Sequence, residues 1–396
     1  MQAPSYSYYR RLHKTEKGFP ARYLYDPEHY ERELEVFYYN MWIAVGREDE
    51  VPNPRDYKVI SVGRQNVMVV RDLQGQLRAF HNTCRHRGSI LCTEEKGSFA
   101  GGSIVCPYHA WTYALDGGLI ATPHQLESAD FDMADYSLYN VAVDTWAGFL
   151  FLNLAGDKAP PLASVLGNMP ARFENYHMED LKLGKRIVLD VKANWKLLFE
   201  NFAECFHCPT VHPEYCSIVV ADSDGGQWGI KEDEFGNAIE EIGSRYLSGA
   251  VTMTMDGTSE IPPFKGLTEE ERDIVYTGGV IRPNLFLNVH PDYINSHIMF
   301  PTGPESVRMV YDWLFDADSM EIPEFNLDKY VEMWDITNRQ DARNCEWQQS
   351  GIRSNRFESS TFVPQEFGPH NFNEWVMQCL EGDGVLSQVG MSMSGE

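Results

Sequence analysis

The sequence predicts an α+β fold of two domains, an antiparallel β domain followed by a domain in which strands and helices are segregated. Residues 40–155 hold short β-branched runs separated by turn residues, including Gly-Gly pairs at 101–102 and 117–118. A stretch with a Pro pair, 157–166, is the candidate boundary, and a long amphipathic helix follows at 326–354. With 396 residues the chain can bury the cores of two domains.

The individual elements are predicted from the period of their apolar residues. β-branched runs between turn residues indicate strands, and apolar residues that recur every three to four positions indicate helices. The predicted strands are YKVISVG (57–63), NVMVVRD (66–72), GFLFLNLAG (148–156), LGKRIVLDVKA (183–193) and SVRMVYDWLFD (306–316). The predicted helices are NWKLLFENFAECFHC (194–208) and residues 326–354.

The composition is that of a globular protein with an acidic surface. The hydrophobic fraction is 43%, and 58 acidic against 33 basic residues give a formal charge of -25. This charge argues against nucleic acid or an anionic membrane as a partner, because both attract clusters of Lys and Arg. An acidic surface suits a basic partner or a cationic substrate, and it suits solubility alone equally well.

The chain shows no feature of an exported or membrane protein. It has no run of 18 apolar residues and no apolar segment near its first residue that would form a signal peptide. Its eight cysteines are irregularly spaced, which is not the pattern of a disulfide scaffold. These observations predict a cytoplasmic protein with no membrane association.

A first set of metal-binding residues lies in the predicted β domain. Cys84 and His86 form a C-x-H pair, and Cys106 and His109 form a C-x-x-H pair further along the chain. Two cysteines and two histidines could hold tetrahedral Zn²⁺ or a Rieske [2Fe–2S] cluster, in which two thiolates bind one iron and two imidazoles the other. A zinc finger usually pairs Cys with Cys and His with His. The mixed pairs therefore favour the cluster.

Other side chains near this first set fall outside the ligand pattern. Cys92 is predicted to be a buried small side chain. Arg85 and Arg87 flank the first ligand pair, and the sequence leaves open whether they are surface charges or contact a carboxylate.

A second set of metal-binding residues lies in NFAECFHCPTVHPEYC, residues 201–216. Glu204 and His207 are three positions apart and share one face of the predicted helix. The same helix carries an apolar stripe formed by Trp195, Leu198, Phe202 and Phe206. Pro209 ends that helix, so His212 can turn back toward His207. The sequence leaves open whether Asn201 faces this site or the solvent.

Three interpretations of the second set are available. Cys205 and Cys208 with His212 or Cys216 could bind zinc, and buried histidines could simply be hydrogen bonded in a core. The favoured interpretation is a facial triad of two histidines and one carboxylate for Fe(II), which leaves positions open for O₂.

The carboxylate of that triad must come from elsewhere in the chain. In the helix 326–354, Trp334, Asp341, Cys345 and Gln348 recur on one face, whereas Asp335 and Glu346 lie on more polar faces. An acid on a buried face is costly unless it is paired or bound to a metal. Asp341 is therefore the predicted third ligand.

Taken together, CRHRG, CPYHAWTY, NWKLLFENFAECFHCPTVHP and the Asp341 helix resemble the large (α) subunits of Rieske-type mononuclear non-haem iron oxygenases. The resemblance covers most of the chain. It implies an N-terminal arm at 1–40, an antiparallel β Rieske domain at 41–158, and a catalytic domain at 159–396. In that last domain it implies a central antiparallel sheet with flanking helices, a helix-grip-like arrangement.

The same resemblance implies roles for individual residues. Cys84, His86, Cys106 and His109 would bind the [2Fe–2S] cluster, and His207, His212 and Asp341 would bind the mononuclear Fe(II). It implies a homotrimer in which Glu204 bridges His207 to His109 of the partner subunit. Most ring-hydroxylating members have Asp at this bridge, and Glu resembles the branch that acts on quaternary ammonium compounds such as glycine betaine, carnitine and choline.

The predicted function is that of a terminal oxygenase which uses O₂ to hydroxylate or oxidatively demethylate a small methylated ammonium compound. The chain has no GxGxxG after a strand, so NAD(P)H electrons must come through a separate flavin or iron–sulfur reductase, with or without a ferredoxin. The alternatives are an aromatic ring dioxygenase and an O- or N-dealkylase of an aromatic compound. A Rieske electron carrier with a binding domain and a zinc-stabilised interaction protein are the competing classes.

Overall fold

The computed structural model describes residues 12–219, 230–232, 238–241 and 244–381. The chain divides into two compact units. One unit comprises residues 37–162, and the other combines the residues before 37 with those after 162.

Twenty strands and eight α-helices lie within the described residues. The strands are β1 Glu16–Pro20, β2 Ile43–Arg47, β3 Asp56–Val62, β4 Gln65–Arg71, β5 Leu77–His81, β6 Lys96–Ser98, β7 Ser103–Val105, β8 Thr112–Ala114, β9 Leu119–Ala121, β10 Asn140–Trp146, β11 Phe149–Asn153, β12 Lys182–Val191, β13 Ile230–Glu232, β14 Ala238–Glu241, β15 Ser244–Arg245, β16 Ile274–Ile281, β17 Leu285–Val289, β18 Ile294–Gly303, β19 Ser306–Phe315 and β20 Ser359–Phe362. The helices are α1 Pro27–Glu33, α2 Met169–Arg172, α3 Trp195–Phe202, α4 Cys208–Val211, α5 Glu269–Arg272, α6 Ala317–Met320, α7 Leu327–Ile352 and α8 Phe367–Glu381.

The unit of residues 37–162 is built from antiparallel sheets. Seven strands form one sheet in the order β2-β11-β10-β5-β4-β3-β6, and β7, β8 and β9 form a second. A buried core cluster includes Met68, Phe80 and Tyr113, and it also contains Cys84 and Cys106. The predicted antiparallel β domain is confirmed, and its core encloses the cysteines of both ligand motifs.

The other unit has a six-stranded antiparallel sheet in the order β12-β19-β18-β17-β16-β15. Every residue of β17 is buried, including Asn288, as expected for a mostly apolar strand inside a sheet. Helix α7 packs against β12 and α3, and α3 packs against α8. The predicted central antiparallel sheet with flanking helices is confirmed.

The N-terminal segment belongs to the same unit as this sheet. Strand β1 pairs with β20 near the other end of the chain, and the Glu33 carboxylate at the end of α1 contacts Lys196 of α3. Residues 1–11 of the predicted arm lie outside the described residues.

The helix predicted over 194–208 is shorter than expected. Helix α3 ends at Phe202, and the Glu204 carboxylate accepts hydrogen bonds from the backbone N–H groups of Phe206 and His207. A side chain that satisfies these donors replaces the helical hydrogen bonds and turns the chain. Phe206, predicted on the buried stripe, is therefore 49% exposed.

The helix predicted over 326–354 is confirmed as α7, but one residue of its proposed buried face is wrong. Trp334 and Cys345 are buried, whereas Gln348 is exposed and its neighbour Gln349 is buried. The amide of Gln349 explains the difference, because it accepts from the backbone N–H of Asn194 and donates to the carbonyl of Leu24.

Candidate metal centres

The second set of predicted ligands meets at one point between α3, α4 and α7. His207 immediately precedes α4, His212 immediately follows it, and Asp341 lies within α7. The Asp341 Oδ1 atom is 2.8 Å from His212 Nε2 and 3.4 Å from His207 Nε2. Two imidazole nitrogens and one carboxylate oxygen therefore converge, although Asp341 is 129 residues from the nearer histidine in sequence.

The donor atoms at this point fit a mononuclear iron ion. His212 Nε2 is buried and has no hydrogen-bond partner among the described residues, so its lone pair is free to bind a metal. Two histidines and a carboxylate on one side form the donor set of non-haem Fe(II) oxygenases.

The electrostatics of the site match that donor set. Burial on its own would lower the pKa of His207. Hydrogen bonds to Asp341 and Glu204 outweigh this effect and raise the pKa of His207 to about 10. Burial likewise opposes ionisation of Asp341, but the adjacent imidazoles of His207 and His212 hold its pKa well below its ordinary value. Without a metal, the site therefore stabilises a protonated, positively charged His207 next to the Asp341 carboxylate, where a bound cation would otherwise lie.

Each histidine is held by a different group at its other ring nitrogen. His207 Nδ1 lies 2.5 Å from Glu204 Oε1, and His212 Nδ1 lies 2.7 Å from Gln340 Oε1. Asn201 also faces the site, because its Nδ2 donates to Asp341 Oδ1 at 3.2 Å and lies 3.3 Å from His207 Nε2. The question that the sequence left open for Asn201 is thereby answered.

The predicted ligands of the β domain come from two similar turns. In the first, the backbone N–H of Cys84 donates to the backbone carbonyl of Ser89, and the backbone N–H of Gly88 donates to the backbone carbonyl of Cys84. In the second, the Cys106 N–H donates to Trp111 and the Ala110 N–H donates back to Cys106. Gly88 and Ala110 both adopt left-handed backbone angles, with φ of 74° and 57°, so each turn folds its histidine back beside its cysteine.

The four side chains of these turns fit a [2Fe–2S] cluster. Cys84 and Cys106 are buried, and neither forms a disulfide. The His86 and His109 rings are 4.7 Å apart and more exposed. A buried thiol pair with a histidine pair toward solvent is the arrangement that a Rieske cluster requires, with one iron on each side.

Neighbouring side chains support the two turns. The Tyr113 hydroxyl lies 3.2 Å from Cys84 Sγ and accepts the backbone N–H of Arg85. Trp111 stacks on His86 at 4.8 Å between ring centroids. Hydrogen bonds to the sulfur ligands are one way in which a protein tunes the potential of such a cluster.

The sequences of both units match known families. Residues 41–136 match the family described as "Rieske [2Fe-2S] domain", and residues 178–382, more than half of the chain, match "Ring hydroxylating alpha subunit (catalytic domain)". The chain belongs to the Rieske non-haem iron oxygenases.

Similar members of this Rieske oxygenase family include curated proteins and a solved structure. The chain is 31% identical to the glycine betaine monooxygenase oxygenase subunit of Pseudomonas aeruginosa, over 91% of this chain and 88% of the relative. It is 30% identical to the carnitine monooxygenase oxygenase subunit of Escherichia coli, over 85% of this chain and 84% of the relative. The quaternary ammonium Rieske monooxygenase CntA with a bound inhibitor has a TM-score of 0.71 and 25% identity, covering 92% of this chain and 96% of that one.

As a Rieske oxygenase, the protein is an enzyme that carries a [2Fe–2S] cluster and a mononuclear iron, and it depends on a separate reductase. The predictions of family, enzyme class and cofactors are confirmed. The zinc interpretation of Cys205 and Cys208 is wrong, because these two side chains form a disulfide. No helix in the described part of the chain has the length and apolarity needed to cross a membrane.

Some residues of this Rieske oxygenase differ from what the sequence indicated. Arg85 donates hydrogen bonds to the backbone carbonyls of Asp135 and Ser137 and lies over the Tyr139 ring, while its side chain stays partly exposed. Arg87 lies over the Tyr108 ring. Cys92 is buried against Met68, as predicted.

The sequence analysis also missed functional neighbours of the iron site. Gln340 contacts His212, Glu214 accepts a hydrogen bond from Gln340, and nothing in the sequence marks either residue. A polar residue beside the buried face of an amphipathic helix has the pattern of a surface side chain. Only the packing of α7 against the segment around α4 brings Gln340 to the histidine.

Proposed function

We propose that this terminal oxygenase hydroxylates or oxidatively demethylates a quaternary or methylated ammonium compound. The observation that carries the proposal is its relation, at 30% identity or more over most of both chains, to oxygenase subunits named for glycine betaine and carnitine. The formal charge of -25 supports it, since an acidic protein attracts cations and raises their local concentration.

The proposed ligand set follows the geometry of the two centres. Cys84, His86, Cys106 and His109 would hold the cluster, and His207, His212 and Asp341 would hold the mononuclear iron. When bound, the cluster supplies single electrons and the iron supplies O₂ binding and activation. The proposed domain bounds are an arm at 1–40, a cluster domain at 41–158 and an iron domain at 159–396.

The chain's own residues position the reaction. The Glu204 carboxylate holds the Nδ1 edge of His207, which leaves Nε2 directed at Asp341. In a homotrimer, the same carboxylate would reach His109 of the partner subunit and connect the two centres. NAD(P)H electrons would enter through a separate flavin or iron–sulfur reductase, with or without a ferredoxin, and the system would work in the cytoplasm.

Buried aromatic and imidazole rings around Trp334 support a cationic substrate, and one of them, His297, interacts electrostatically with Asp341. Trp334 lies 5.7 Å from His290 and 6.1 Å from His297, measured between ring centroids. Burial lowers the pKa of His290 and of His297 to about 3, so both rings are neutral at pH 7. A methylammonium group next to them would meet no competing positive charge, and aromatic faces attract such a group.

The chemistry of the product makes the proposal testable. Insertion of one oxygen atom of O₂ into an N-methyl C–H bond, with two electrons and two protons, gives an N-hydroxymethyl group and water. The C–N bond of the N-hydroxymethyl group then breaks, which releases formaldehyde, together with the hydroxyl proton when the nitrogen is quaternary, and leaves an amine with one methyl group fewer.

The experiment measures formaldehyde and O₂ uptake with reductase, NAD(P)H and one substrate at a time. Glycine betaine, carnitine and choline are compared with 3,3-dimethylbutan-1-ol, the neutral carbon analogue of choline. We expect O₂ uptake coupled to product from at least one cation, with formaldehyde in proportion to O₂ if the reaction is demethylation, and no oxidation of the neutral analogue. Turnover of naphthalene or of a methoxylated aromatic compound, with none of the cations, would establish the aromatic alternative instead.

A further inference from the structure

Gln340 forms hydrogen bonds at both ends of its side-chain amide. Its Oε1 atom lies 2.7 Å from His212 Nδ1, and its Nε2 atom donates to Glu214 Oε2 at 3.1 Å. Gln340 directly precedes Asp341 on α7, and Glu214 follows His212 by two residues. The amide therefore links the two segments that supply proposed iron ligands.

The Glu214 carboxylate gives this link a direction. A carboxylate accepts hydrogen bonds and an amide NH₂ only donates them, so the NH₂ of Gln340 must face Glu214. The amide oxygen of Gln340 must then face His212. Since that oxygen only accepts, the His212 Nδ1 atom must carry the ring proton.

A proton on Nδ1 leaves the lone pair of His212 on Nε2. That atom is buried, has no hydrogen-bond partner among the described residues, and lies 2.8 Å from Asp341 Oδ1. The ring is consequently presented with the correct nitrogen toward the proposed metal position before any metal binds.

We propose that Gln340 and Glu214 are positioning residues which fix the tautomer and ring orientation of His212 for iron binding. The inference rests on the ligand set of the proposed function. It also separates the two histidines chemically, because His207 Nδ1 faces the Glu204 carboxylate whereas His212 Nδ1 faces a neutral amide. A carboxylate partner makes an imidazole more basic. His212, which faces a neutral amide, therefore donates its lone pair to a metal more weakly than His207 does.

The test is an anaerobic Fe(II) titration of the protein after a chelator has removed the mononuclear iron and left the cluster in place. Gln340→Met removes both hydrogen bonds, and we expect it to weaken Fe(II) binding by about 10- to 100-fold, the usual effect of losing such a partner. Glu214→Gln can still form a hydrogen bond to Gln340, but it no longer fixes which end of the Gln340 amide faces His212. The loss of Fe(II) affinity in this variant should therefore be smaller. Gln348→Met on the exposed face of α7 is the matched control and should bind like the wild type.

A charge swap separates this role from a merely structural one. Gln340→Glu places two carboxylates side by side and should weaken binding. Adding Glu214→Gln restores a donor to that carboxylate, which can then accept from both His212 and the new amide. We expect the double variant to bind Fe(II) more tightly than Gln340→Glu alone, with a changed electron paramagnetic resonance spectrum of its nitric oxide adduct.

The outcomes distinguish this inference from the ligand set beneath it. If His207→Ala keeps wild-type Fe(II) affinity, the proposed ligand set is wrong. If His207→Ala loses iron but Gln340→Met binds like the wild type, the ligand set stands and the positioning role is wrong. A double variant no better than Gln340→Glu would also overturn the positioning role. The far-ultraviolet circular dichroism spectrum and the thermal unfolding midpoint report that each variant is folded, since the cluster residues lie in the other unit of the chain.

Discussion

At the scale of single residues, Glu204 has two structural tasks. One carboxylate oxygen pairs with His207 Nδ1 at 2.5 Å, and the other accepts the backbone N–H groups of Phe206 and His207. The side chain thus shapes the loop that carries a proposed iron ligand and also holds the ring of that histidine. Both tasks depend on the length of a glutamate.

Replacing Glu204 by Asp should therefore damage this enzyme, although Asp is the residue that the resemblance identifies in most ring-hydroxylating relatives. The carboxylate would retreat by one CH₂, and a displacement of this size in a reacting site costs on the order of 100-fold in rate. The measurement is product formed in a single turnover from protein with a reduced cluster. Iron content and cluster reduction serve as controls, and an Asp variant with wild-type yield would contradict the prediction.

Asp292 offers a second test at the residue scale. Burial raises its pKa to about 6, even though Ser259 and Thr252 donate hydrogen bonds to it. Because the folded value lies above the ordinary value of 3.8, the stabilising contribution is complete below pH 3.8 and is lost as the pH rises through about 6. That difference in pKa corresponds to about 3 kcal/mol of unfolding free energy.

Asp292→Asn should remove this loss. We expect the unfolding free energy of the variant, relative to the wild type, to increase by roughly 2.4 kcal/mol between pH 4 and pH 7, because the unfolded carboxyl is already partly ionised at pH 4. Urea unfolding at several pH values measures it, with the exposed Asp318→Asn as control. Parallel pH profiles for Asp292→Asn and the wild type would show that Asp292 ionises normally.

At the scale of elements, the buried contact between α1 and α3 ties the N-terminal segment to the core. Lys196 Nζ lies 2.5 Å from Glu33 Oε1, their side chains are 0% and 1% exposed, and the indole N–H of Trp195 donates to the same carboxylate. Removing one member of a buried ion pair leaves an uncompensated charge.

Lys196→Met should therefore destabilise the protein by about 3–5 kcal/mol. Combining it with Glu33→Gln neutralises the remaining charge and keeps an acceptor for Trp195, so the double variant should be more stable than Lys196→Met. Urea unfolding followed by tryptophan fluorescence measures the unfolding free energies of the wild type, of Lys196→Met and of the double variant. Lys265→Met, from a pair that is 83% and 87% exposed, is the control and should change stability by less than about 1 kcal/mol. Equal or greater instability of the double variant would contradict the argument.

The elements also show how far the sequence could predict this fold. Periodicity identified α7, the strands β12 and β19 and the β domain, because burial repeats with the period of each element. It could not identify the end of α3, since Glu204 satisfies backbone donors through its side chain. The spacing of Cys84, His86, Cys106 and His109 was informative because each pair lies within one turn. Gln340 was not predictable, because its contact with His212 joins residues 128 apart.

At the scale of the whole molecule, the proposed trimer places the working pair of metal centres in two different chains. Glu204 would then connect the iron of one subunit to the cluster held by His109 of the partner subunit. This arrangement predicts that two inactive variants can regain activity when they are combined in one trimer. Electron transfer within a single chain could not restore activity in this way.

One variant, Cys84→Ser, should lack the cluster and keep its iron site, and the other, His207→Ala, should lack the iron and keep its cluster. Each alone should be inactive. In trimers mixed at random from equal amounts, about one quarter of the iron positions combine an intact iron site with an intact neighbouring cluster. Selection for both tags discards the two kinds of homotrimer, and every mixed trimer has one such position in three. We therefore expect about a third of wild-type activity from co-expressed, doubly tagged oligomers, after size-exclusion chromatography shows that each variant assembles. Doubly tagged oligomers with no activity would mean that electrons reach the iron from the cluster of the same chain.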